Sequence, residues 1–201
     1  MVFYAAVSLM LTAPPVPAYV AIQEEVLVEA VQQHTKRNVE HVVKASVKAG
    51  QEYNISPVWL LAVFGVESGY KPKAIGDAGK AYGLGQIHYP YIRGKTSPCR
   101  SIRNNRTHIC KRKDLLEPYL NARVAAWIFN KYRKRWPGHE AVIYNCGIRC
   151  CIKKKRGRCV KHAAFTRTTL KYNKRHRALW RYINGRETSA KRDRLQGISV
   201  L

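Results

Sequence analysis

An almost entirely apolar segment that ends in a carboxylate constrains the fold of this chain most strongly. The stretch "PVWLLAVFGVE" runs from Pro57 to Glu67 and contains no other charged residue. Ser56 followed by Pro57 is a typical helix start, because serine is favoured as an N-cap and proline fits the first turn. A helix that is apolar on nearly all sides must be surrounded by other elements. We therefore predict a buried central helix with Glu67 at its end.

The flanking segments show the apolar periodicity of helices. Over residues 22–52 the pattern is interrupted at "HTKRN", which predicts two helices or one kinked helix. An amphipathic helix is predicted in "EPYLNARVAAWIFNKYRKRW", with Pro118 near its start. A basic helix is predicted over residues 163–183, and Asn184-Gly185 is a typical helix end. The predicted fold class is mainly α.

Short segments rich in glycine or cysteine predict the non-helical parts. "KPKAIGDAGKAYGLGQIHYPY" (71–91) predicts loops or short extended pieces directly after the central helix. Residues 94–114 form a polar, basic insertion, and "CGIRCCIKKKRGRC" (146–159) predicts a small hairpin that turns at "KRG". Small loop or hairpin regions of this kind accompany the helices in the predicted architecture.

The net charge indicates the class of partner. The 201 residues include 37 Lys and Arg but only 12 Asp and Glu, which gives a formal net charge of +25. The length fits one domain with a substantial core. A strongly basic chain predicts an anionic partner. Nucleic acid, anionic lipid and the acidic polymers of a bacterial cell wall all meet that requirement, and composition does not separate them.

The N-terminal segment predicts export. Residues 2–21 hold an apolar run, then prolines and "VPA", which resembles a cleavage site ending at Ala18. We predict a signal peptide at 1–18, one domain at 19–185 and a basic flexible tail at 186–201, in a secreted or periplasmic protein or one associated with a phage virion. No Lys or Arg precedes the run, so a membrane-associated segment stays an alternative.

The cysteines also favour an oxidising compartment. Their even number predicts disulfides. We expect Cys99 to pair with Cys110 across the insertion, and Cys159 to pair with Cys150 or Cys151. Zinc binding by the cluster with His162 is the alternative, but the paired C-x2-C spacing is missing and we expect no metal or other cofactor. The disulfide candidates are Cys99, Cys110, Cys146, Cys150, Cys151 and Cys159.

Glu67 is the clearest candidate for chemistry. Its neighbours Val63, Phe64 and Val66 would remove water from the carboxyl group, and desolvation raises a carboxyl pKa. A general acid needs a raised pKa of this kind. On this segment alone, a glutamate that ends its helix in water is the simpler interpretation, so further motifs must decide.

Four motifs in order resemble one enzyme family. They are "ESGY" (67–70), "YGLGQI" (82–87), the helix segment "LNARVAAWIF" (120–129) and "YNCG" (144–147). Together they resemble the soluble lytic transglycosylases, lysozyme-like enzymes that cleave peptidoglycan. The resemblance covers residues 56–147 and implies a lysozyme-like catalytic domain.

The resemblance assigns roles to particular residues. It implies that Glu67 is the catalytic acid and base, that the Tyr144 hydroxyl lies near its carboxyl group, and that Asn121 is structural. Gly85 stands where the family often has Met, which we expect to widen the cleft locally, while Cys146 would brace the "YNCG" motif. The implied substrate-binding residues are Ser68, Tyr82, Gly83, Leu84, Gln86, Tyr144 and Asn145.

The resemblance also implies the reaction. Protonated Glu67 would donate to the glycosidic oxygen between MurNAc and GlcNAc, and its carboxylate would then accept the proton of the muramic acid 6-hydroxyl, which gives a 1,6-anhydro sugar. A lysozyme-type hydrolase is the alternative if Asp77 lies across the cleft, although glycine neighbours favour a turn role for Asp77.

A non-catalytic, basic wall-binding or nucleic-acid-binding protein is a further alternative. Residues 149–194 combine positive charge with Tyr172, Trp180 and Tyr182, which could stack on bases. Their helical spacing favours core positions instead, so we do not expect a nucleic acid partner. We expect a monomer that acts on glycan strands, either alone or with a secretion, conjugation or phage assembly.

Overall fold

The fold is mainly helical, as predicted. The computed structural model describes residues 22–92, 111–135, 144, 151–155, 158–162 and 167–198. Its helices are α1 (Glu24–Gln32), α2 (Glu40–Tyr53), α3 (Pro57–Glu67), α4 (Tyr89–Ile92), α5 (Pro118–Arg135) and α6 (Arg167–Ile198), with 3-10 turns at Asp77–Gly79 and Arg112–Leu116. Its strands are β1 (Ile75–Gly76), β2 (Ala81–Tyr82), β3 (Ile87–His88), β4 (Cys151–Lys155) and β5 (Arg158–His162).

Helix α3 lies at the centre of the core, which confirms the first prediction. It begins at Pro57 and ends at Glu67, and packs against α2 and α6, with a smaller contact to α5. The Ser56 hydroxyl makes no capping hydrogen bond, so proline rather than a side-chain cap marks the helix start. The side chains that face its neighbours are fully buried, among them Leu60, Leu61, Val63 and Phe64.

The segment before α3 forms two separate helices. Helix α1 packs on α6, and α2 lies along α5. Helix α2 ends at Tyr53 and is followed by the C-cap Asn54, whose left-handed φ of 53° suits a short polar side chain better than a β-branched one. The core of the domain is therefore a set of helices arranged around α3, with α2 and α5 on one side and α1 and α6 on another.

A small antiparallel sheet follows α3, where short extended pieces were predicted. Strand β2 pairs with β1 through Ile75 and Tyr82, and with β3 through Ala81 and His88. The connection between β2 and β3 is the loop 83–86. The sheet thus holds the "YGLGQI" segment close behind the end of α3.

Strands β4 and β5 form the predicted second hairpin. They pair in antiparallel fashion from Cys151 and His162 to Lys155 and Arg158. The segment at 1–18, the insertion at 94–110 and the positions of Cys99, Cys110, Cys146 and Cys150 lie outside the described residues, as do the side chains of Cys151 and Cys159. Disulfide pairing, zinc binding and signal-peptide cleavage stay predictions.

The predicted end of the last helix is wrong. Helix α6 continues through Asn184-Gly185 to Ile198, so residues 186–198 extend the helix. A glycine inside a helix costs about 1 kcal/mol, which contacts elsewhere can offset. Arg186 supplies such a contact beyond the glycine, because its guanidinium lies 3.0 Å from the Glu29 carboxylate on α1. Within the described residues, no helix combines the length and apolarity that a membrane span requires.

Candidate active site

Glu67 is the last residue of α3, and its carboxyl group lies in a largely apolar environment. The preceding residues Val63 and Phe64 are fully buried, and Glu67 itself is partly buried. Burial raises the pKa of Glu67, because the charged form loses hydration. The predicted effect of the apolar helix on this carboxyl group is therefore present in the folded chain.

One side chain from α6 contacts this carboxyl group directly. The Tyr172 hydroxyl donates a hydrogen bond to Oε1 of Glu67. Tyr172 is fully buried, so the bond forms away from solvent. The bond stabilises the carboxylate and partly offsets the effect of burial on the Glu67 pKa.

Tyr172 was not among the predicted site residues. Its spacing with Leu179 and Ile183 predicts a core position, and all three side chains are indeed buried. Periodicity shows which face of a helix is buried, but it does not show which residue lies opposite. Nothing in the sequence signalled that Tyr172 meets a residue 105 positions earlier.

The loop 83–86 beside the site is fastened by Asn121 of α5. The Asn121 amide donates to the carbonyl groups of Tyr82 at 2.8 Å and Leu115 at 2.7 Å, and its oxygen accepts from the Gly85 amide at 2.8 Å. Asn121 is fully buried and uses both ends of its side chain. This arrangement agrees with the structural role that the resemblance implies for Asn121.

Two glycines permit the close packing of this loop. A Cβ at Gly83, where φ is +73°, would lie 2.2 Å from both the Asn121 amide nitrogen and the Leu115 carbonyl oxygen. A Cβ at Gly85 would lie 2.4 Å from the Tyr144 hydroxyl oxygen and 3.2 Å from the Phe64 ring. Gly85 therefore does not leave the expected wider cleft, because the Tyr144 hydroxyl occupies the space beside it.

Tyr144 joins the loop to α5. Its hydroxyl donates to the Gly85 carbonyl at 2.8 Å, and its ring stacks on Phe129 with 4.4 Å between ring centroids. Burial and, secondarily, the negative charge of Glu67 hold the pKa of Tyr144 well above its ordinary value. Tyr144 thus stays a neutral phenol near Glu67, while Tyr172 makes the hydrogen bond to the carboxyl group.

The other predicted binding residues use their polar groups within the loop region. The Ser68 hydroxyl donates to the Phe64 carbonyl at 3.0 Å. The Tyr82 hydroxyl donates to the Gly79 carbonyl at 2.5 Å, and the Gln86 amide donates to the Gly83 carbonyl at 2.9 Å. Leu84 is fully buried. These four residues shape the backbone near Glu67, and Asn145 lies outside the described residues.

Two of the five described non-glycine residues with positive φ lie on either side of the site, and the others are Asn54, Asp77 and Ala78. Tyr70 and Gln86 adopt left-handed conformations with φ of 62° and 47°. Such conformations cost about 1–2 kcal/mol for residues other than glycine, and they persist only where surrounding contacts impose them. One of these residues follows Glu67 by three positions and the other ends the loop 83–86.

Asp77 makes no described hydrogen bond to Glu67. It lies in the 3-10 turn between β1 and β2, is exposed, and has its carboxylate 2.7 Å from Nε2 of His88. This placement fits the predicted turn role. Among the described residues, no Asp or Glu hydrogen-bonds to Glu67 and no Lys or Arg forms an ion pair with it.

The arrangement supplies one carboxyl group whose pKa is raised by burial, together with a phenol that can stabilise its charged form. A family model for the transglycosylase SLT domain matches residues 44–194. The match includes α3, the loop 83–86, α5 and most of α6. A search of curated proteins finds no match to the chain.

Proposed function

Because the chain belongs to the transglycosylase SLT domain family, which acts on peptidoglycan outside the cytoplasm, we propose that it is a lytic transglycosylase. It cleaves the β-1,4 bond between MurNAc and GlcNAc and leaves a 1,6-anhydro-MurNAc end. The observation that carries this proposal is the half-buried Glu67 carboxyl group, whose described hydrogen-bond donor is the phenol of Tyr172. A single acid of this kind suits a reaction in which one group donates and then accepts a proton.

The first step is proton donation by Glu67. The protonated carboxyl group gives its proton to the glycosidic oxygen, the bond between that oxygen and the anomeric carbon breaks, and the GlcNAc-bearing fragment leaves as an alcohol. Positive charge develops at the anomeric carbon, and Glu67 becomes a carboxylate beside it. The raised pKa of Glu67 extends the pH range in which the acid form is available.

The second step returns the proton to Glu67. The carboxylate accepts the proton of the muramic acid 6-hydroxyl, and that oxygen forms a bond with the anomeric carbon. The sugar closes on itself, no water is consumed, and Glu67 is protonated again. Between the two steps Glu67 is a carboxylate, and the Tyr172 hydroxyl stabilises this charged form by donating a hydrogen bond to it.

The remaining parts of the site support substrate binding. Asn121 and Tyr144 hold the loop 83–86 through hydrogen bonds to Gly85, so that the backbone beside Glu67 is rigid before a glycan strand arrives. Ser68, Tyr82, Gln86 and Asn145 are proposed to shape or contact the sugar subsites. The net charge of +25 attracts the protein to the anionic wall polymer.

The positions of the acidic residues that the structure describes favour intramolecular transfer over hydrolysis. A lysozyme-type reaction with two carboxylates would need a second acid near the scissile bond. Asp77 is exposed and bonded to His88. The proposed location is the periplasm or the cell exterior, with local opening of the wall for a secretion, conjugation or phage assembly as the setting.

Digestion of purified peptidoglycan tests the reaction. We expect mass spectrometry of the soluble muropeptides to show anhydro ends, each lighter by one water molecule than a hydrolysed end. Glu67→Gln should release no product, while Glu52→Gln, a matched change at the end of α2, should leave digestion intact. Hydrated ends would contradict the transglycosylase assignment, and turnover by Glu67→Gln would contradict the choice of acid.

A further inference from the structure

Helix α6 carries an aromatic cluster one turn beyond Tyr172. The cluster is defined by Trp59 of α3 with His176 and Trp180 of α6. The His176 ring lies 5.0 Å from the Trp59 ring, centroid to centroid, with the planes at 83°. Nε1 of Trp180 donates to Nε2 of His176 at 2.9 Å. The cluster therefore joins α6 to α3, the helix that ends at Glu67.

The hydrogen bond fixes the state of the histidine. An indole N–H can only donate, so Nε2 of His176 must be an unprotonated acceptor. The imidazole is then neutral and carries its proton on Nδ1. A proton added to Nε2 would face the Trp180 N–H, and the bond could not form.

We propose that neutral His176 is a positioning residue that seats α6 on α3 and so holds the Tyr172 hydroxyl against the Glu67 carboxyl group. This inference rests on the proposed function, because it concerns the same site. His176 lies four positions after Tyr172, on nearly the same face of the helix. When His176 is protonated, the hydrogen bond with Trp180 that orients the imidazole is lost, so the ring no longer keeps its edge-to-face contact with Trp59 of α3, and Tyr172 holds Glu67 less well.

The charges around His176 favour its neutral form. Burial lowers the pKa of His176, and the positive charge of Arg177 lowers it further. Helix α3 has Glu67 as its single titratable residue, and that group is bonded to Tyr172. On α1, Glu24 and Glu25 lie in the first turn, and Glu29 pairs with Arg186.

The residues just after α1 supply no balancing acid. His34 follows α1, and Arg175 of α6 acts on it as a neighbouring positive charge. Among the described residues, no carboxylate hydrogen-bonds to His176 or forms an ion pair with it. An imidazolium at this position would therefore lack a compensating negative charge.

The proposal predicts that activity falls at low pH because His176 becomes protonated, an effect separate from the titration of Glu67. Since the folded pKa of His176 lies below its unfolded value, the contribution of His176 to stability is complete above the unfolded pKa. It is lost as the pH falls through the folded pKa. Glu67 acts in the opposite sense, because acid supplies the protonated carboxyl group that the first step needs.

One substitution separates the hydrogen bond from the charge. His176→Gln keeps an acceptor for the Trp180 indole but does not titrate. We expect its ratio of kcat at about pH 4.5 to kcat at about pH 7 to exceed the wild-type ratio by about 3- to 10-fold, with KM little changed. The control His41→Gln, at an exposed position on α2, should keep the wild-type ratio.

A spectroscopic measurement tests the tautomer without any substrate. In the full chain, nitrogen NMR of the imidazole should show His176 protonated on Nδ1 at neutral pH, and Trp180→Phe should move its titration toward that of an ordinary histidine. The proposal would be overturned if kcat of His176→Gln fell at low pH as steeply as kcat of the wild type, or if the His176 proton were found on Nε2 at neutral pH. If anhydro products are absent while the NMR result holds, the proposed reaction fails and the placement of His176 stands.

Discussion

Glu52 and Glu67 occupy similar places in their helices but have opposite electrostatic surroundings. Glu52 is the penultimate residue of α2, and Glu67 is the last residue of α3. Both carboxyl groups therefore lie at the negative end of a helix dipole, which disfavours their charged forms. The helix position is shared, so the difference between the two acids must come from the side chains that meet them.

Glu52 is held by cations and phenols at the surface. Nε of Arg123 donates to its carboxylate at 2.5 Å, a second guanidinium nitrogen makes the parallel contact, and Tyr119 donates at 3.4 Å. Partial burial acts to raise the pKa of Glu52, but hydrogen bonds from Arg123 and Tyr53 outweigh that effect, and the pKa is lowered. The lowered pKa favours the charged form of Glu52, which joins α2 to α5 through Arg123.

Glu67, in contrast, is partly buried and accepts a hydrogen bond from a neutral donor, the Tyr172 phenol. Its pKa is raised by burial, and the Tyr172 bond offsets only part of the effect. The comparison shows that a guanidinium would make this carboxyl group useless as an acid, whereas a phenol stabilises the carboxylate without preventing its protonation. The absence of an ion pair at Glu67, among the described residues, is therefore consistent with the acid role proposed for it.

Exchange of each acid for glutamine should give the largest contrast. We expect Glu67→Gln to lower kcat on peptidoglycan by at least about 100- to 1,000-fold, because the proton donor is removed. Glu52→Gln should change kcat by less than about 2-fold, since Glu52 only joins two helices. Release of muropeptides per unit time measures both, and similar losses in the two variants would break the comparison.

Removal of the phenol from the Glu67 site should have the next largest effect. Tyr172→Phe keeps the buried ring but not the donor, so we expect kcat to fall about 10-fold, as for loss of a hydrogen bond to a charged group. The pKa of Glu67 should rise further, which moves the alkaline limb of the pH profile of kcat to higher pH. Tyr182→Phe is the matched control, because Tyr182 lies on the same helix as Tyr172 but donates its hydrogen bond to Glu29 of α1. An unmoved alkaline limb in Tyr172→Phe would show that the phenol does not act on the acid.

The sequence predicted the position of Glu67 at the end of a buried helix better than it predicted the surroundings of its carboxyl group. The apolar run before Glu67, the proline at its start and the Asn-bearing helix are local signals, and each corresponds to an observed element. The bonds that give Glu52 and Glu67 their opposite properties join residues 71 and 105 positions apart. Such pairs depend on how helices cross, which periodicity within one helix does not encode.

The error at Gly185 has a similar origin. Asn184-Gly185 is a local helix-end signal, but the contact of Arg186 with Glu29 continues the packing of α6 on α1 beyond it. The sequence also did not show that the space beside Gly85 is filled, because the Tyr144 hydroxyl that fills it comes from a distant segment. In each case a long-range contact decided what a short-range preference left open.

The two acids should also differ in the sign of their effect on stability. A raised folded pKa gives stability that is present below the unfolded pKa and lost as the pH rises through the folded value, so Glu67→Gln should stabilise the protein at pH 7. A lowered pKa has the reverse effect, so Glu52→Gln should destabilise it. Changes of about 2–4 °C in Tm are expected for about 1 kcal/mol. Calorimetry at pH 7 and pH 4 should show both differences shrinking in acid, and changes of the same sign would contradict the comparison.

The smallest expected effect concerns the geometry of the Glu52 pair. Arg123→Lys keeps the positive charge but not the two parallel hydrogen bonds to the carboxylate, so we expect the free energy of unfolding to fall by about 0.5 kcal/mol. Urea unfolding measures this loss against Arg37→Lys, the same change at an exposed position outside any described ion pair. Because the Arg123 hydrogen bonds are the main cause that lowers the Glu52 pKa, that pKa should rise somewhat, while kcat should be that of the wild type because Glu52 is not the proposed acid. A loss of activity in Arg123→Lys would mean that the contact between α2 and α5 acts on the Glu67 site, and the two acids could then no longer be treated as independent.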